Sequence, residues 1–283
     1  MRDGTVGNSF FNRFSGANGH SHGNTRVKSM ALKSFIRMKE VNFDKFNFSY
    51  WSLFNKKFTK GLTPSTVFKE IMSHLKGGLQ SLDSHDGKLS CQDYILLSKS
   101  RVSNLSEQER GNIYEIFLHY EKKKKMNGEY DLADLVTDLH RRLREENYEA
   151  NKFDFVYIDE VQDLTMGQIA VFKYICRNVN DGFIFSGDTA QTIAKGVDFR
   201  FEEIRHLFYQ EFILKSGTDR IYGRGEKGLM TELLHVSKNF RTHAGILTLA
   251  QSVINLIYHF FPVSIDVLSP ETSHITGETP VLL

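Results

Sequence analysis

Residues 153–168 read FDFVYIDEVQDLTMGQ. Aromatic and β-branched residues fill the first six positions, the composition of a buried strand. That run ends on two adjacent acids, Asp159 and Glu160, and a polar VQD then leads into a second apolar stretch. In parallel α/β sheets ligands sit at the carboxyl ends of the strands, so acids at this point face a crevice. The first acid of such a pair can hold a magnesium ion, directly or through its water shell, and the second can orient or deprotonate an attacking water. Solvated acids at an ordinary strand end are the alternative reading of DE alone.

Working outward, the pattern repeats. GFIFSGDTAQT (182–192) is again an apolar run ending in an acid, Asp188, with Gln191 three residues later. A helical stretch, TMGQIAVFKYICRNV, separates the two runs, so a single crossover would place the strands side by side. An amide at Gln191 can hydrogen-bond a γ-phosphate or a water without adding charge. LHVSKNFRTH (234–243) then sets Arg241 just before a long amphipathic helix, HAGILTLAQSVINLIYHFF. A guanidinium has the forked donor geometry suited to phosphate charge. FEEIRHLFYQEFI reads as a further helix. This alternation predicts an α/β fold with a parallel sheet.

Upstream the pattern is helical. In GLTPSTVFKEIMSHLKGG, Thr63 is placed to cap, Pro64 suits the first turn, and Gly77 and Gly78 close the end. LSEQERGNIYEIFLHYEKKKK carries a capping box from Ser106 to Glu109, with Ile113, Ile116, Phe117 and Tyr120 on one face. Lys122 to Lys125 read either as a solvated helix end or as a phosphate-contacting patch. YDLADLVTDLHRRL forms a third helix, expected to turn Leu132, Leu135, Val136 and Leu139 inward. Residues 1–30, rich in Gly, Asn, Ser and His, lack an apolar period and read as a disordered tail. The chain divides on this basis into 1–30, a mostly helical part at 31–150 and an α/β part at 151–283.

The 283 residues carry a formal net charge of +2, a balance that neither demands nor excludes a nucleic-acid partner. Two cysteines without CxxC spacing argue against a disulfide framework or a zinc site. No run reaches the length of a membrane span, and the N-terminus has no signal-peptide core. An intracellular protein, nuclear or cytoplasmic, with no membrane partner is expected.

YIDEVQDLT, FSGDTAQTI and LHVSKNFRT resemble, in order, the DExQD, GDxxQ[ST]I and LxxN[YF]R signatures of superfamily 1 helicases of the UvrD/Rep type. YDLADLVTDLHRRL is similar to the DFxDLL helix of those enzymes. The stretch GDTAQTIAKGVDFRFEEIRHLFY followed by NFRTHAGILTLAQSVI looks most like the helicase-like region of the large TPR-and-ankyrin-repeat-containing proteins and their plant relatives. The similarity covers about residues 62 to 283. It implies a partial RecA-like P-loop NTPase sheet with a preceding helical subdomain, residues 151–232 as the C-terminal part of the first lobe and 233–283 as the start of the second, ATP and Mg2+ as ligands, and single-stranded nucleic acid as partner. It further implies that Asp159 binds magnesium, Glu160 activates water, Gln162 and Gln191 sense the γ-phosphate, Asp188 supports the crevice, and Arg241 is an arginine finger from the second lobe. Phe199 and Phe201, around Arg200, are the nearest candidates for stacking on a base, with core packing as the alternative.

One departure matters. The phosphate-binding loop GxxxxGK[ST] of that family does not occur in these 283 residues; GNTRVKS, GLTPSTVF and GRGEKGL lack its spacing or its ending. The expectation is therefore an incomplete motor core with little or no turnover, a fragment of a larger helicase-like protein. The alternative is a non-catalytic interaction module derived from the same fold. A magnesium-dependent nuclease built on Asp159, Glu160, Asp163 and Asp188 is a third reading.

Overall fold

The computed structural model describes residues 37–84, 86–100, 105–145, 152–214, 233–262 and 265–281. The tail predicted over 1–30 lies outside them. Short helical turns at Phe43–Lys45, Phe46–Tyr50, Trp51–Leu53 and Lys56–Thr59 open the helical part. Helix α1 (Pro64–Lys69) starts as its sequence dictates: the Thr63 hydroxyl accepts the Thr66 amide and proline occupies the first turn. It widens into a π-helical segment, Glu70–Leu75, all six of whose residues are buried. Helix α2 spans Cys91–Ser100 and α3 spans Glu107–Met126, the latter closed at its start by the Ser106–Glu109 capping box. Ile113, Ile116, Phe117 and Tyr120 of α3 pack into a core rich in aromatic rings, with Phe46, Phe68, Ile71, Leu75 and Tyr94. Burial of side chains this large is worth about 1.5–3 kcal/mol each.

Helix α4 (Leu132–Glu145) corrects two expectations. Leu132, Leu135 and Leu139 are 41%, 39% and 39% exposed, while Ala133 and His140 face inward. The reason is electrostatic. Asp131, immediately before α4, is completely buried, and its carboxylate takes Lys76 Nζ at 2.6 Å, Lys124 Nζ at 2.5 Å and the Tyr120 hydroxyl at 2.9 Å. Lys124 is thus a buried residue rather than part of a solvated helix end. Asp134 and Glu121 complete the cluster, and Lys88 bonds Glu121 from the rim. Three ammonium groups meet three carboxylates, which satisfies the rule that buried charge must be paired.

The electrostatics of this cluster follow from that pairing. Burial alone would raise the Glu121 carboxyl, but the Lys76 and Lys124 ammoniums override it and hold it at about 2. Asp131 is held down by the same two ammoniums against its burial. Burial would likewise lower Lys124, yet Asp131, Asp134 and Glu121 push it above its ordinary value. Glu121, Asp131 and Asp134 are the one group of acids among the described residues close enough to share a cation. Lysine nitrogens already fill that position.

Strand β1 (Val156–Ile158) follows, then helix α5 (Met166–Val171), strand β2 (Phe183–Phe185) and helix α6 (Phe201–Leu207). The strands pair in parallel, Val156 with Phe183, Tyr157 with Ile184 and Ile158 with Phe185, so the single crossover read from the sequence is present. Ile158, Ile169, Phe199, Leu207 and Phe212 form a second core beneath the pair. The regular sheet is small, and the described chain is richer in helix than in strand. A separate parallel pair, β3 (Lys238–Asn239) with β4 (Thr272–Ser273), flanks helix α7 (Ala244–Phe260). Both cysteines are free thiols. No helix among the described residues is long and apolar enough to cross a membrane.

His140 joins the helical part to the α/β part. Its ring Nε2–H donates to the Gly167 carbonyl at 2.8 Å, at the start of α5. Burial pushes its pKa below the ordinary 6.5, only partly offset by that hydrogen bond. The neutral ring is therefore the folded form, while the unfolded chain takes up a proton more readily. Stability is expected to be full above pH 6.5 and to decline as the pH falls below it. The decline should be shallower in His140→Gln, which keeps a donor for Gly167 without a titrating group. Urea midpoints of both proteins between pH 5 and 8 measure this, and identical slopes would contradict it.

Candidate active site

The site is built where β1 and β2 end. Asp159 is exposed at the tip of β1, and the Ser186 hydroxyl, just past β2, donates to its Oδ1 at 2.7 Å. That bond, reinforced by the Glu160 amide, holds the Asp159 carboxyl below the usual carboxylate range. The ladder continues past the strands: Ser186 N–H donates to Ile158 O and Val161 N–H to Ser186 O. The two loops therefore leave the sheet tied together.

Glu160 has φ 52° and ψ 38°, and is the one non-glycine residue at positive φ among the described residues. Left-handed backbone costs a side-chain-bearing residue about 1–3 kcal/mol and persists where surrounding contacts over-determine it. Here those contacts begin with Gln162, whose Nε2 donates to Glu160 Oε2 at 2.6 Å. The other end of the same amide, Oε1, accepts the Asp188 backbone N–H at 3.0 Å. Gln162 is 1% exposed. The turn Thr189–Gln191 that follows is capped by the Asp188 carboxylate, which accepts from Ala190 N at 2.9 Å and from Gln191 Nε2 at 2.8 Å.

Asp163 pins the far end of that loop, its Oδ1 accepting the Ile193 and Ala194 amides, each at 3.0 Å. An oxygen spent on two backbone donors gives Asp163 a structural role and takes from the nuclease reading one of its four acids. Beyond it the chain reaches the π-helical segment that continues α1, where the Ser73 hydroxyl donates to Gly196 O at 2.6 Å and accepts Asp198 N–H at 2.8 Å. His74 Nε2 lies 3.0 Å from the Asp198 carboxylate.

Asp159, Glu160, Gln162, Asp188 and Gln191 are thus brought to one edge. Arg241 is exposed in the turn between β3 and α7, where its backbone N–H is held by Asn239 Oδ1 at 2.8 Å. It belongs to the second parallel pair. The two parts touch through Asp266, whose N–H donates to Thr189 Oγ at 3.0 Å. The base-stacking assignment needs correction. Phe199 is 3% exposed, packed edge-on against Phe201 with ring centroids 5.2 Å apart, and belongs to the second core. Phe201 and Arg200 are half-buried at the start of α6. Ser186 and Gly187, which complete the site, were not picked out from the sequence. The SGD run containing them was the available signal.

At the exposed edge the Asp159 carboxylate is a hard oxygen donor of the kind magnesium takes, with water free to fill the remaining positions, whereas both oxygens of Asp188 accept within their own turn. Asp159, Glu160 and Asp188 do not converge into a three-acid cluster, unlike Glu121, Asp131 and Asp134. Adjacent parallel strands ending in a strained DE pair and a GD turn define a class. The model of the UvrD/REP helicase N-terminal domain matches residues 23–207, and the chain belongs to that family. It is also 32% identical over 246 residues to TPR and ankyrin repeat-containing protein 1 of Homo sapiens. That match covers 86% of this chain and 8% of the relative, so the chain spans a small part of that protein's length.

Proposed function

We propose that the chain is the water-activating portion of a UvrD-like, ATP-dependent nucleic-acid motor core, built on a RecA-like sheet. The observation that carries this reading is the pair of parallel strands that leads to an exposed Asp159 and a half-buried Asp188 at one edge, with Glu160 held beside them. In this reading Asp159 would hold Mg2+ through its carboxylate, and Glu160 takes the proton of the attacking water. Gln191 meets the γ-phosphate, and Asp188 fixes its amide. Arg241, from residues 233–283, approaches as the second lobe closes and meets the charge that develops on the phosphate. The bound Mg2+ would supply charge neutralisation between the phosphates. Single-stranded nucleic acid is the partner expected of such a motor, with the partly open Phe201 and Arg200 at the rim of α6.

A second reading rests on the absence of GxxxxGK[ST] from these 283 residues. Without the amides and lysine of that loop, several kcal/mol of phosphate stabilisation is missing. On that reading the chain is a binding module that keeps the fold and has lost turnover.

Titration with Mn2+, followed by water-proton relaxation, tests the metal position in the purified chain. Weak binding that disappears in Asp159→Asn is the expected result, and binding indifferent to that substitution would remove Asp159 from the role. A fluorescent ATP analogue with Mg2+ should bind weakly or not at all. Micromolar, magnesium-dependent affinity would mean that another phosphate cradle replaces the missing loop.

A further inference from the structure

We infer that Gln162 is a positioning residue, which sets the Glu160 carboxylate and ties it to the Asp188–Gln191 turn instead of touching the nucleotide. The inference rests on the reading of Glu160 and Gln191 given above, and assigns to that site an internal relay. Both ends of the buried amide are spent within the protein, on Glu160 Oε2 and on the Asp188 N–H. Asp188 in turn holds the Gln191 amide. A continuous path of hydrogen bonds therefore runs from Gln191, proposed to meet the γ-phosphate, through Asp188 and Gln162 to the proposed base.

The chemistry of position 162 is specific. An amide is planar, with an acceptor oxygen at one end and a donor NH2 at the other. A carboxylate there would keep the bond to the Asp188 N–H but oppose Glu160 with like charge. An apolar side chain of similar size would leave the half-buried Asp188 N–H without its partner, at a cost at or below the roughly 1–3 kcal/mol of a fully buried one. The space for the amide is made by Gly187. A Cβ built on Gly187 would lie 2.3 Å from Gln162 Oε1 and 3.1 Å from Val161 Cγ1. Since Oε1 is the far end of a side chain pinned at both ends, the methyl group of Gly187→Ala must push the amide off its partners. Glu160, on its left-handed backbone, has most to lose from that displacement, because its conformation is maintained by contact rather than by preference.

Hydrogen exchange by NMR on the purified, isotope-labelled chain reads the two arms separately. In Gln162→Leu the Asp188 amide should lose protection about tenfold, the equivalent of one hydrogen bond, and in Gln162→Glu protection should return to within about threefold of wild type. Gly187→Ala should behave like Gln162→Leu without altering Gln162 itself. The Gln162 side-chain NH2 should exchange about tenfold faster in Glu160→Ala and stay slow in Glu160→Gln, which preserves an acceptor. Glu160 is exposed, so this arm remains readable if Gln162→Leu fails to fold. A packing role alone would leave the Gln162 NH2 indifferent to Glu160 and would be satisfied by leucine. Asp188 protection unchanged in Gln162→Leu and in Gly187→Ala, or Gln162 NH2 exchange unchanged in Glu160→Ala, would overturn the inference. Mn2+ titration of the wild type separates the two claims. Intact couplings with no Mn2+ binding uphold the relay and remove the nucleotide reading, whereas Mn2+ binding with absent couplings does the reverse.

Discussion

Asp131→Ala is expected to destabilise the chain by about 3–5 kcal/mol, the range for removing one partner from a buried ion pair. Its carboxylate is the shared acceptor for Lys76, Lys124 and the Tyr120 hydroxyl. It also accepts the Asp134 N–H at 2.9 Å and so caps α4. Removing it leaves three ammonium groups facing two carboxylates in the interior, and deletes a helix cap worth about 1 kcal/mol. The two losses share one side chain, so they are not simply summed. A thermal melt followed by circular dichroism should show a fall of roughly 10 °C or more. Asp131→Asn retains an oxygen for the cap and should recover only that part.

The pH dependence has a definite sign. Asp131 is depressed in the folded protein, so its contribution is present above its ordinary value of 3.8 and is lost as the pH falls further. The gap between wild type and Asp131→Ala should therefore be constant from pH 5 to 8 and narrow below about pH 4. A melt of Asp131→Ala indistinguishable from wild type at pH 7 would show that the lysines find other compensation.

Glu160→Gln is expected to lower ATP turnover by about 10²–10⁴-fold, the usual contribution of a positioned general base. The measurement is made on this chain joined to an added segment that supplies a phosphate-binding loop. Glutamine keeps the shape of the side chain and an oxygen to accept from Gln162 Nε2, so ATP binding should survive while the proton acceptor is lost. Steady-state ATPase with and without single-stranded DNA, beside equilibrium ATP binding, separates the two. In the proposed reading the Arg241 guanidinium meets charge that appears only during transfer, so Arg241→Ala should also cut turnover more than it cuts binding. Undiminished turnover in Glu160→Gln would end the water-activation role. Undiminished turnover in Arg241→Ala would remove the arginine finger and leave the family membership standing.

Local features were legible because their causes are local. The Ser106–Glu109 capping box and the Thr63–Pro64 start depend on residues within one turn. The strands β1 and β2 are marked by apolar runs that end abruptly in acids, and one intervening helical stretch left a parallel pair as the simplest arrangement. A second capping box, Thr165 with Gln168, went unread in the same stretch. α4 was misread because its leucines form the more apolar stripe, and periodicity alone turns that stripe inward. The face centred on Ala133 and His140 won instead, since Asp131 must reach two lysines and His140 must reach the Gly167 carbonyl.

By itself, then, the sequence determined the helical start sites, the order of strand, helix and strand, the acids at the strand ends and the family they resemble. Those depend on short-range propensity and on motifs whose residues lie within ten positions. Only the tertiary structure decided that Lys124 is interior, that Phe199 is core, and that Gln162 spends its amide on Glu160 and on a backbone N–H 26 residues away. The physical reason is common to all three. Charge compensation, ring packing and amide satisfaction in the interior depend on which distant groups arrive as neighbours, and the spacing of residues along a chain carries no record of that.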